Sequence, residues 1–211
     1  MARVNRENLT AAAYIACWKI VRYLPQPVAA WLFERGADYA SDNGAGMEQL
    51  RQNLSRVVGP ENVTRALVRD SMRSYMRYWL EAFRLPAIHA DPSLHEQLLA
   101  GMRGKEYSDA SIASGRGVIF ALPHSGNWDM AGVFCVNHYG GFTTVAERLK
   151  PEALFDAFVD YRESLGFTVL PLTGSAASPF PRLKATLERG GVVCLLACLL
   201  YTSEPTRLRR I

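Results

Sequence analysis

From about Gly101 onward, short apolar runs alternate with helical stretches, and this alternation constrains the fold more than any other feature of the 211-residue chain. The runs are Val118 to Leu122, Phe142 to Val145, Phe167 to Leu170 and Val192 to Ala197. Helical periodicity marks Asp109 to Ser114, Trp128 to His138, Pro151 to Leu165 and Arg182 to Glu188. Strands separated by helices predict parallel pairing, and a parallel sheet must be covered by helices because both of its faces are apolar. The predicted class is therefore α/β, with a mostly parallel sheet flanked by helices.

The first ninety residues carry helical periodicity and very few strand signals. Pro25, Pro27 and the "SDNGAG" cluster at Ser41 to Gly46 divide them into an N-terminal helix, a second near Val28 to Tyr39 and a third near Met47 to Val58. A longer helix is expected from about Pro60 to Leu85, with Pro60 in its first turn and Pro86 as its stop. This division gives an N-terminal helical segment over residues 1–100, an α/β core over 101–197 and a tail over 198–211.

Composition enters mainly by what it excludes. The four cysteines, Cys17, Cys135, Cys194 and Cys198, lack the close pairs of a zinc or redox motif, so free thiols in a reducing compartment are expected. No uncharged apolar run reaches the roughly 20 residues of a spanning helix, and the N-terminal "LTAAAYIACWKIVRYL" is broken by Lys19 and Arg22. Arg3 and Arg6 precede a short apolar stretch, but no small-residue cleavage site follows, so an export signal is not expected. The net charge of +4 favours an anionic partner without identifying it.

On the long helix, Arg65, Arg69, Arg73 and Arg77 recur every fourth residue and form a ridge. Val63, Leu67, Tyr75, Trp79, Leu80 and Phe83 make the remainder apolar and aromatic, a combination suited to an anionic membrane surface. Trp18 and Lys19, with Tyr14, Arg22, Tyr23 and Trp31, extend that pattern. A solvated face opposite a core face explains the same residues. No RNP-type strand, zinc spacing or helix-turn-helix signature accompanies the arginines, so nucleic acid is not an expected partner.

The segment "GVIFALPHSGNWDM" places His124 at the end of an apolar run and Asp129 five residues later. An aspartate accepting from one imidazole nitrogen raises the basicity of the other, which prepares the ring to take a proton from a hydroxyl. No G-x-S-x-G elbow supplies a protein nucleophile, and Ser125 is poorly placed for its neighbour's ring, so the hydroxyl would belong to a substrate. Gly126 and the amides of the following helix start are candidate donors for a developing oxyanion. A structural histidine is the alternative reading. A metal site is not expected, because His89, His95 and His138 are not at ligand spacing with His124.

"HSGNWD", His124 to Asp129, resembles the H-x-x-x-x-D motif of the glycerolipid acyltransferase superfamily, in the branch that includes the lipid A acyltransferases. Val145 to Leu172 resembles the second and third blocks of that branch, and "LERGGVVCLLA" resembles the strand before its fourth. The wording of "ALPHSGNWDMAG" and "AERLKPE" is similar to the actinobacterial members that acylate phosphatidylinositol mannosides. The resemblance implies a peripheral enzyme on the cytoplasmic face of the plasma membrane. It would move a long, palmitoyl-like acyl chain from acyl-CoA, a substrate rather than a cofactor, to a mannose hydroxyl of the glycolipid acceptor. It implies His124 as general base and Asp129 as its orienting partner. Arg162, in the R-x-x-x-G of "RESLG", matches a family arginine near the active-site groove, and Glu147 and Arg148 match a strand-end pair that contacts substrate. For these three, a surface ion pair or helix charge is the plainer alternative.

The pattern departs from the family after "VVCLLA". An acidic residue followed by arginine is expected there, and Cys198 and Leu199 stand in its place, so Glu204 is not assigned the acidic role. A sheet ending at that strand is expected to leave an edge uncovered and a groove without one wall, which cannot position two lipid substrates, so loss of activity is expected for such a chain even where a full-length relative is active. A lipid A type acyltransferase, with an acyl carrier protein or CoA donor, and a catalytically inactive glycolipid-binding module are the alternatives.

Overall fold

A computed structural model describes residue 16 and residues 18–148, 152–174 and 178–196. Arg3, Arg6, Tyr14, Cys17, Ala197 and the tail with Cys198, Leu199 and Glu204 lie outside the described residues. The chain divides into two compact units, Ala13–Ala87 and one that contains the residues from Ile88 onward.

In the first unit, helical residues at 18–21 are followed by α1 (Gln26–Ala40), α2 (Glu48–Val58), a 3₁₀ turn (Pro60–Asn62) and α3 (Arg65–Ile88). Pro27 sits in the first turn of α1, where its missing N–H has no intrahelical partner to lose, so the helix begins ahead of the expected Val28. At the end of α1 the Ser41 hydroxyl donates to the Ala37 carbonyl at 2.8 Å, and Asp42, Asn43 and Gly44 take positive φ. Asp, Asn and Gly are the residues that tolerate that turn.

The single helix expected over Pro60 to Leu85 is corrected at both ends. Pro60 opens the separate 3₁₀ turn, and α3 starts afresh where the Thr64 hydroxyl accepts from the Leu67 amide at 3.1 Å. Pro86 lies inside α3 instead of ending it. Its missing N–H forfeits one intrahelical bond and its ring crowds the preceding turn, a local cost.

The buried stripe of α3 comprises Val68, Leu80, Ala82, Phe83 and Leu85. Phe83 gathers Trp18, Trp79 and Phe33 at ring separations of 5.5, 5.8 and 6.1 Å. Burial of a large side chain such as Leu80, Phe83 or Leu85 stabilises the unit by about 1.5–3 kcal/mol. Arg73 then joins α3 to α1 through a fork onto the two Asp38 oxygens, at 2.6 and 2.7 Å. Arg84 donates to the Leu24 and Val21 carbonyls at the end of the first helical turns, a favourable position for a cation.

The second unit begins with α4 (Pro92–Gly101) and α5 (Lys105–Ala113). α4 lies between the expected elements, although Leu94, Leu98 and Leu99 recur at helical spacing. Its start is signalled by Asp-Pro-Ser: Asp91 accepts from the Ser93 amide at 2.9 Å and Pro92 occupies the first turn. Next come β1 (Val118–Leu122), α6 (Trp128–Tyr139), β2 (Phe142–Ala146), α7 (Glu152–Ser164), β3 (Phe167–Pro171), α8 (Phe180–Glu188) and β4 (Val192–Leu196). The four strands form one parallel sheet in the order β1-β4-β2-β3, as the alternation predicts.

Strand alternation sends Phe142 and Thr143 to opposite faces. On the first face, Gly132 of α6 approaches so closely that a Cβ there would collide with the Phe167 and Phe142 rings. Those rings are paired across β2 and β3 at 4.6 Å. On the opposite face, the Thr143 and Thr186 hydroxyls meet at 3.2 Å, which ties β2 to α8. The helices thus cover both faces of β2. Cys135 on α6 and Cys194 on β4 are buried free thiols, 3.7 Å apart.

Candidate active site

The site residues of the second unit are brought to one edge by strand direction. In a parallel sheet every carboxyl end lies on the same side, and ligands of α/β folds bind outside those ends. His124 follows the end of β1 by two residues, and Glu147 and Arg148 follow β2 directly. Because β4 separates β1 from β2, their loops stand about two strand spacings apart, roughly 10 Å, across the end of β4.

His124 and Gly126 are exposed on the short connection from β1 to α6. Gly126 has φ +68°, which lets the chain reverse into the helix at low cost. Asn127 closes the connection by accepting from the Met130 amide at 3.2 Å, the N-cap bond of α6. The helix start therefore faces the strand edge with amides that no carbonyl of its own helix can accept. An anion or a developing oxyanion is favoured there.

Asp129 lies one residue inside α6 and is 2% exposed. A buried carboxylate is costly unless a cation or several donors face it. Arg162, in the last turn of α7, supplies that cation with its Nε 3.4 Å from Asp129 Oδ1. Its guanidinium lies 4.3 Å from the Trp128 ring centre and 5.6 Å from that of Phe158. The third-block arginine is thus brought to Asp129 from 33 residues away.

Glu147 and Arg148 are exposed. Arg148 is held by Glu152 of α7, with Nε 2.8 and 3.0 Å from the two carboxylate oxygens, and donates to the Gly174 carbonyl at 3.0 Å. The Glu152 carboxylate raises the pKa of Arg148, and the Arg148 guanidinium in turn lowers that of Glu152. Arg148 consequently links the exits of β2 and β3, the ion-pair arrangement that is the plainer reading of a strand-end arginine. Among the described residues no group of three His, Cys, Asp or Glu is placed to hold a metal ion.

The residues singled out for the membrane have different surroundings. Trp18 is 8% exposed and packs on Phe83, so core packing accounts for its ring. Arg73 is engaged by Asp38, and Arg69 Nε lies 3.1 Å from Asp70. Arg65, Arg77 and Lys19 are exposed. So are Ile20, Tyr23 (75%) and Trp31 (56%). Arg22 stacks over Tyr23 at 4.7 Å and Arg35 over Trp31 at 6.0 Å. No described helix is long and apolar enough to cross a membrane.

Trp128 and Phe158, which lie against Arg162 in the candidate site, are not singled out by the sequence. The signal for Trp128 is present, an aromatic next to the aspartate in "HSGNWD". Nothing in spacing links Phe158 to Arg162 beyond one helical turn.

A strand-end histidine, a capped helix start and a buried Asp-Arg pair make up the candidate site of this parallel α/β unit. Over residues 2–204 the chain matches the family of bacterial lipid A biosynthesis acyltransferases, and it belongs to that family. It is 52% identical over 192 residues to the phosphatidylinositol mannoside acyltransferase of Mycolicibacterium smegmatis, a match that covers 90% of this chain and 62% of that protein. It is 51% identical over 187 residues to the phosphatidylinositol mannoside acyltransferase of Mycobacterium tuberculosis, 88% of this chain and 58% of that protein. The chain thus spans about three fifths of the length of these curated relatives.

Proposed function

We propose that the protein is an acyl-CoA-dependent O-acyltransferase that esterifies a mannose hydroxyl of phosphatidylinositol mannosides. The observation that carries this reading is the identity to two phosphatidylinositol mannoside acyltransferases across a stretch that includes the whole His124–Asp129 segment. In the reaction, His124 takes the proton of the mannose hydroxyl as its oxygen attacks the thioester carbonyl carbon. The carbon–sulfur bond then breaks, and the proton passes to the departing CoA thiolate. Amides near Gly126 and the α6 start stabilise the oxyanion formed between these steps. Asp129 orients the base, Arg162 holds Asp129, and Glu147 and Arg148 meet the substrates at the neighbouring strand end.

The same reading makes the protein peripheral to the cytoplasmic face of the plasma membrane. Support comes from the first unit, where Ile20, Tyr23 and Trp31 are exposed beside Lys19, Arg22 and Arg35. Aromatic rings with adjacent cations suit the headgroup region of an anionic bilayer.

The deciding experiment measures transfer from radiolabelled palmitoyl-CoA to a mannosylated phosphatidylinositol by the chain and by His124→Ala. In a parent that transfers, His124→Ala is expected to lower kcat by about 10²–10⁴-fold with acceptor binding retained. Equal rates would remove His124 from the mechanism. Glycolipid binding without turnover by the parent would favour a binding module, and turnover only of a lipid A precursor would move the acceptor to that class.

A further inference from the structure

We infer that Trp128 is a positioning residue, whose ring clamps the Arg162 guanidinium against the buried Asp129 carboxylate. Trp128 and Asp129 are consecutive on α6, and both meet the same guanidinium arriving from α7. The two interactions have different characters. The ion pair is long, 3.4 Å from Nε to Oδ1, whereas the ring lies 4.3 Å from the guanidinium carbon. A cation over an indole face gains electrostatic energy and loses rotational freedom, so the ring fixes where the guanidinium points.

The clamp is supported from behind. Phe167 of β3 stands 6.2 Å from the Trp128 ring, and Phe158, one turn before Arg162, closes on the guanidinium at 5.6 Å. Trp128 is therefore itself held by the sheet. Arg162 is 16% exposed and Asp129 2%, so water competes weakly for the pair while the ring is in place. Without the ring, the arginine gains rotamers and solvent, and the long ion pair is the first interaction to break. Asp129 is then a buried carboxylate with a weakened counter-charge, and whatever it orients on the His124 side loses its fixed partner.

The clamp itself stands on geometry, while its effect on rate rests on the acyl-transfer reading. The test combines Trp128→Leu and Arg162→Gln singly and together, with urea unfolding and acyl transfer measured on each. In unfolding, the midpoint shift caused by Trp128→Leu is expected to shrink in the Arg162→Gln background, because the partner of the ring is gone. Additive shifts would overturn the clamp. In catalysis, Trp128→Leu is expected to lower kcat about tenfold with KM nearly unchanged, and to have little further effect once Arg162 is Gln. Trp128→Phe, which keeps a ring and leaves a smaller void, is expected to recover most of the lost rate and to fold where the leucine variant does not.

An unchanged kcat in Trp128→Leu beside an active parent would overturn the positioning role. An inactive parent would count against the acyl-transfer reading, and the unfolding cycle would still decide whether the clamp exists.

Discussion

At the scale of single residues, partners assembled by the fold set the charge behaviour of several groups. Asp109 on α5 illustrates this away from the strand edge. The Lys105 ammonium holds its carboxyl down to about 2, with His138 and Tyr139 donating as well, against the opposing effect of burial. A carboxylate with a depressed folded pKa adds stability above its unfolded value, about 4, and loses that contribution as pH falls through the folded one. Asp109→Asn is therefore expected to melt below the parent at pH 7, with the gap closing between about pH 4 and pH 2. A gap that stays constant over that range would show that the charge is not what stabilises. Lys105 is legible as a partner from its i,i+4 spacing, whereas His138 and Tyr139 sit about thirty residues away and meet Asp109 only because α5 and α6 pack together.

Elements show a similar division. β1 coincides with its predicted range, α6 runs one residue past its predicted end, and α7 stops one residue short of Leu165, its predicted start at Pro151 lying outside the described residues, since apolar runs and periodicity are local properties. Pro86 reads as a stop in the sequence because its ring opposes a helix. The helix continues because the buried face ending at Leu85 outweighs that local cost. Gly132 carries the reverse lesson: it looks like a weak point in α6, but it is where the helix closes onto the Phe142–Phe167 pair. Gly132→Ala should therefore destabilise by about 1–3 kcal/mol in urea unfolding despite its better helix propensity. A stabilised variant would mean that the helix can move away from the rings at no cost.

For the whole molecule, surface chemistry and family membership have to be read together. The arginine ridge looks uniform in sequence, yet Arg73 forks onto Asp38 while Arg65 and Arg77 remain exposed. The proposed membrane contact is thus narrower than four evenly spaced arginines, and it draws on Tyr23 and Trp31. Tyr23→Ser with Trp31→Ser is expected to lower binding to vesicles rich in phosphatidylinositol by about tenfold while leaving the melting midpoint unchanged. Trp18→Ser, which removes a ring from the Phe83 cluster, should instead lower the midpoint. Equal vesicle binding by the double variant and the parent would exclude this face from membrane contact.

The sequence by itself determined the α/β class, the parallel sense of the sheet, the helix-to-sheet succession and the position of His124 at a strand exit. Each depends on periodicity or on neighbours a few residues apart. Tertiary structure alone decided that β4 inserts between β1 and β2, that Arg162 faces Asp129 under the Trp128 ring, and that Arg148 spans the exits of β2 and β3. These depend on which helices pack on which strands, a choice made by buried area and close approach across the fold, with no counterpart in the spacing of residues along the chain.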